Sequence, residues 1–295
     1  MLKGVKYLLY NKNIYYIIID KMTKRIKILF IMFQGSGTNQ KTWNEHTKSK
    51  FLDRLKIIGS VYCYQDKTYN IWHYNKSFSN YKDYDMDIDI DLSYVKPNKY
   101  IKMIYDNICK KYKNIDEYKF IPIGFSAGGS FALYFAQLYS SQCIHVILLD
   151  PDLHTPNNMK KRLKMDIDDL KNTKYPITNA QYKKLLQEWK TKGYIEDANK
   201  INNINHYIRS LFFSKHLKLQ LSVPTLAFVN IQEPEGNILN IAFTNKLKLE
   251  EVNILEKHNN YKAIIFTNKT HYIFNMIQSA NIIIKEIKSI IRLCE

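Results

Sequence analysis

Apolar runs of strand length alternate with helical stretches along almost the whole chain, and this alternation limits the architectures open to it. Ile26–Phe33 is a continuous apolar run that ends in Gln34-Gly35-Ser36-Gly37, as a buried parallel strand entering a glycine loop would. Strands are also expected at Ile57–Tyr64, Tyr118–Ile123, Ile144–Leu149, Pro224–Ile231 and Lys262–Thr267. Helices are expected at about Thr42–Leu55, Lys99–Lys113, Ala127–Tyr139, Leu239–Leu249 and His271–Ile291. Lys6–Tyr10 and Ile14–Ile19, joined at Asn11-Lys12-Asn13, read as a hairpin. Repeated strand–helix units imply an α/β protein: a mostly parallel central sheet with helices on both faces. Pro122 runs against this, since proline removes a ladder hydrogen bond from a central strand.

The stretch from about Asp150 to Leu221 shows no obvious strands. Tyr182, Leu185, Leu186 and Trp189 recur there at helical spacing, and a second helix is expected at Glu196–Phe213. It is expected to form a helical cap over the carboxyl ends of the strands, where such sheets place ligands. The expected organisation is a core first part over residues 1–150, a cap over 151–221 and a core second part over 222–295.

The formal net charge of +17 suggests a polyanion partner, but nearly all the basic residues are lysines spread along the chain without a dense block. That pattern fits a solvated surface and no specific nucleic-acid partner. No transmembrane segment and no signal peptide is evident. Cys63, Cys109, Cys143 and Cys294 are far apart and form no zinc-type spacing, which reads as reduced thiols in a cytoplasmic protein. The run Asp85-x-Asp87-x-Asp89-x-Asp91 resembles the start of a calcium loop, but the sixth and twelfth positions are Ile90 and Lys96 where Gly and Glu are needed. It reads as a solvated acidic loop, and no metal or cofactor is expected.

Gly124-Phe125-Ser126-Ala127-Gly128 lies between an expected strand and an expected helix. A serine on so sharp a turn is lifted above the sheet edge, and the residues two before and two after must be small because strand and helix nearly touch. The backbone N–H of Ala127, at a helix N-terminus, would face a developing oxyanion. Ser126 is the expected nucleophile.

The order of strand, glycine loop, elbow, insertion, acid loop and late histidine resembles the α/β-hydrolase family over nearly the whole chain. The resemblance implies that Gln34-Gly35-Ser36-Gly37 is the oxyanion loop, with Gln34 where the family usually has His. The N–H of Ser36 would then act with that of Ala127. It further implies the order Ser–acid–His. Among the eight histidines, His271 follows the last expected strand at its carboxyl end and is the expected base, whereas His258 lies at the wrong end and His145 inside a strand. The family's acid usually follows the strand Pro224–Ile231, three residues after a Gly whose place Asn230 holds, and this points to Glu233. Glu235 is its neighbour, and Asp150 or Asp152 after the preceding strand is the rarer position. The implied activity is hydrolysis of a small acyl ester through an acyl-enzyme. A thioesterase or acyltransferase with the same triad, or a non-catalytic binding protein, remains open.

Overall fold

In a strand covered on both faces, alternate side chains enter two different cores, so every residue must be apolar. Lys27–Phe33 (β3) behaves this way after its exposed first residue: Leu29, Ile31 and Phe33 join one buried cluster, and Ile28, Phe30 and Met32 join the other. The computed structural model describes residues 5–10, 13–18, 26–35, 43, 48–63, 97–153, 221–232, 238–258, 260–268 and 270–294. Most of the expected cap, residues 154–220, lies outside the described residues, as does the Asp85–Asp91 run.

Val5–Tyr10 (β1) and Asn13–Ile18 (β2) pair antiparallel, from Val5 with Ile18 to Tyr10 with Asn13. After β3 come Phe51–Ile58 (α1), Ser60–Cys63 (β4), Pro97–Lys111 (α2), Tyr118–Phe125 (β5), Gly128–Leu138 (α3) and Val146–Leu149 (β6). Thr225–Gln232 (β7), Ile238–Leu255 (α4), Tyr261–Asn268 (β8) and Ile277–Cys294 (α5) complete the described elements. A six-stranded sheet runs in the order β4-β3-β5-β6-β7-β8, with every neighbouring pair parallel. One buried cluster packs α2, α3 and α4 against the sheet; the other packs α1 and α5 against the opposite face. In α5 the buried positions Ile283, Ile284, Ile287 and Ile291 recur every three or four residues, with Lys285 and Lys288 exposed between them. No helix among the described residues is long and apolar enough to cross a membrane.

Several expected boundaries move. Ile57 and Ile58 belong to the last turn of α1 rather than to a strand, and Ile57 points to solvent. Gly59 ends that helix by donating its N–H to Leu55 O, and the strand begins only at Ser60. The last helix starts at Ile277 rather than His271, because a 3₁₀ turn at Ile273–Asn275 intervenes. Pro122 does sit in central β5, paired with Ile31 of β3. On its other side the register slips by one residue between the Phe120–Cys143 bridge and the Ile123–Ile147 pair, so the missing donor falls at an irregularity in the ladder.

His145, which precedes β6, carries a pH dependence. Burial pulls its pKa down from 6.5 to about 4. The unfolded chain therefore takes a proton that the folded chain refuses. The stability this histidine contributes is complete above pH 6.5 and is lost as the pH falls through 4, about 3 kcal/mol in all. Urea melts of the parent and His145→Asn across that window should show a shallower pH slope in the variant; parallel slopes would contradict it.

Candidate functional site

Strand β5 ends at Phe125 and α3 begins at Gly128, so Ser126 and Ala127 make the whole turn. Ser126 has φ 52°, a left-handed conformation that costs a residue with a β-carbon roughly 1–2 kcal/mol. Hydrogen bonds hold it there. Its N–H donates to Leu149 O at 3.1 Å, and its carbonyl accepts the N–H groups of Gly129 and Asp152, each at 2.9 Å. The elbow is thus fastened to the end of β6 as well as to its own helix.

The motif's small residues are sterically required. A β-carbon at Gly124 would lie 2.5 Å from Gly128 O, and one at Gly128 would lie 2.2 Å from Phe33 O. Backbone atoms at those distances have no rotamer by which to move away. The loop after β3 comes equally close: a β-carbon on Gly35 would sit 2.9 Å from the Ser126 β-carbon. Ser36 itself lies outside the described residues. Ala127 is buried in helical conformation at the start of α3, where backbone N–H groups carry partial positive charge.

A second left-handed residue stands at the end of the neighbouring strand. Asp150 has φ 41° and is completely buried. Its N–H donates to Phe228 O at 2.6 Å, which continues the β6–β7 ladder. Its Oδ1 accepts the Asn230 N–H at 2.9 Å and the Lys248 Nζ at 2.7 Å. Its Oδ2 meets His271 Nδ1.

His271 follows β8 and is partly exposed, and its ring lies 4.7 Å from that of Phe125, the residue before the serine. An aromatic cluster supports this arrangement. Phe274 packs 5.0 Å from Phe125 and 4.8 Å from Trp43, and its carbonyl accepts the buried Ser49 hydroxyl at 2.6 Å. Each such ring pair contributes about 0.5–1.5 kcal/mol beyond the area it buries. The loop is tied from the other side too: Asn230 Nδ2 donates to Thr270 O at 3.1 Å.

The carboxylate that meets His271 is therefore Asp150, from the strand before the expected one. Glu233 and Glu235 lie outside the described residues. Asn230 proves more than a substitute for a family glycine: it is fully buried and joins the ends of β6, β7 and β8 through its N–H and its side-chain amide. Lys248 of α4, which no motif singled out, joins the same group. Its Nζ also donates to Asn230 O at 3.0 Å. A carboxylate on Nδ1 holds the imidazole in the tautomer that leaves Nε2 free to accept a proton. Thiols offer no competing nucleophile at Cys63 or Cys143, since burial pushes the first up to about 11 and the second further.

No protein-family model matches the sequence, and no curated protein is detectably similar to it. Solved structures do resemble it. The α/β hydrolase domain-containing protein 10 from mouse is 11% identical, covers 99% of this chain and 100% of its own, and superposes with a TM-score of 0.51. A lipase-esterase related protein from Clostridium acetobutylicum is 18% identical over 89% of this chain and 94% of its own, at 0.44. A hydrolase from Oleispira antarctica is 13% identical over 90% and 91%, at 0.47. The mouse protein is near enough in shape to weigh, and at that identity it speaks for the fold. With the parallel order β4-β3-β5-β6-β7-β8 and the strained serine turn between β5 and α3, it makes the architecture of this chain that of an α/β hydrolase.

Proposed function

We propose that the chain is a serine hydrolase that cleaves a small acyl ester through a covalent acyl-enzyme. The observation that carries this is the meeting of a fully buried Asp150 with His271, whose ring packs on the residue preceding a strained Ser126. In this scheme His271 Nε2 takes the Ser126 proton as the hydroxyl oxygen attacks the acyl carbonyl. Asp150, rather than Glu233, holds Nδ1–H and stabilises the imidazolium that forms. The N–H of Ala127 and that of Ser36 receive the oxyanion. His271 returns the proton to the departing alcohol, then activates the water that releases the acid. The acyl group would lie against the cap of residues 151–221. The widely spaced cysteines support a cytoplasmic setting.

The test is a panel of p-nitrophenyl esters and acyl-CoAs of graded chain length. The expected result is turnover of esters with an initial burst of p-nitrophenolate matching the enzyme added. Preference for acyl-CoAs would redirect the assignment to a thioesterase or acyltransferase. Neither turnover nor burst with any acyl donor would leave a binding protein.

A further inference from the structure

We propose that Lys248 is a positioning residue for the acid–base pair, an inference that rests on the hydrolase function above. Lysine is seldom buried unless its charge is matched. Here the Lys248 side chain is only 10% exposed, and its partner carboxylate is 0% exposed. The ammonium donates to Asp150 Oδ1 at 2.7 Å and to Asn230 O at 3.0 Å. One side chain of α4 thus pins the ends of β6 and β7 together.

The consequence lies in how the carboxylate is held. Oδ1 accepts two donors, the Lys248 ammonium and the Asn230 N–H, and these fix the rotation of the carboxylate about its own bond. Oδ2 is then the oxygen directed at His271 Nδ1. Without the ammonium, a fully buried carboxylate would lose its counter-charge, and removing one partner of a buried pair leaves the other uncompensated. The carboxylate would turn toward other donors or toward water, and the imidazole would lose the fixed partner that sets its tautomer. A guanidinium keeps the positive charge and the N–H donors that Oδ1 and Asn230 O require.

The experiment measures kcat and KM for p-nitrophenyl acetate in the parent, Lys248→Met, Lys248→Arg, Asp150→Asn and the Asp150→Asn/Lys248→Met double variant. Each is first checked for a cooperative thermal melt. Lys248→Met should lower kcat by about 10–100-fold, the scale of an ångström-sized misplacement, with KM changed little. Lys248→Arg should recover most of that loss. The double variant should be no slower than Asp150→Asn, because Lys248 acts through Asp150. Should Lys248→Met fail to fold, Lys248→Gln, which keeps a donor without the charge, carries the same expectations. A folded neutral variant with parental kcat, or losses that multiply in the double variant, would overturn the role of Lys248 while leaving the hydrolase function standing. A parent that turns over no ester and takes no fluorophosphonate at Ser126 would overturn both.

Discussion

Asp150→Asn should cut turnover by about 10⁴-fold with little change in KM, while Glu233→Gln should leave turnover near that of the parent. The size of the effect comes from the tautomer. An asparagine amide can keep its oxygen toward the Asn230 N–H and Lys248, but it then presents an N–H to His271 Nδ1. The imidazole must accept there and carry its proton on Nε2, where it cannot serve as a base. Stability falls as well, because the buried Lys248 ammonium loses its counter-ion, at a cost of about 3–5 kcal/mol. Rates should therefore be taken below the variant's melt and normalised to folded protein. Collapse in Glu233→Gln with near-parental turnover in Asp150→Asn would return the acid to the loop after β7.

Ser126→Gly should abolish turnover, by about 10⁶-fold, and yet yield a protein at least as stable as the parent. The activity loss follows from removing the attacking oxygen. The stability gain follows from φ 52° at Ser126, where glycine carries no β-carbon penalty. Ser126→Ala should be equally inactive but should keep the strain, so the glycine variant should melt above the alanine variant by the equivalent of about 1 kcal/mol. Thermal melts of the two side by side check this. An alanine variant as stable as the glycine variant would mean that the elbow stores no strain.

Much of the fold was legible because the sheet is parallel and covered on both faces. That burial turns β3 and β5–β7 into apolar runs with little alternation, and right-handed crossovers make each return through a helix. Local spacing marks Ser126 as a candidate nucleophile in the sequence, and its place just after the last strand marks His271 as a candidate base. The acid was not. Its surroundings come from residues distant in sequence: Asn230 is 80 positions from Asp150, Lys248 is 98 and His271 is 121. No local pattern distinguishes a carboxylate buried by such partners from a solvated one in a loop. The family template placed the acid after β7, and only the fold brings Asp150 under His271. Lys248 was hidden for the same reason, as one lysine among many. Where α1 ends was misjudged because β-branched Ile57 and Ile58 favour a strand locally, whereas Gly59 stops a helix that packing had already set.

The central claim, that Ser126 is an activated nucleophile, is tested most directly by labelling. Folded protein is treated with a fluorophosphonate probe, digested and sequenced by mass spectrometry. A single adduct on Ser126 is expected, absent from Ser126→Ala and strongly slowed in Asp150→Asn. Modification at another residue, or none in folded parent protein, would contradict the claim.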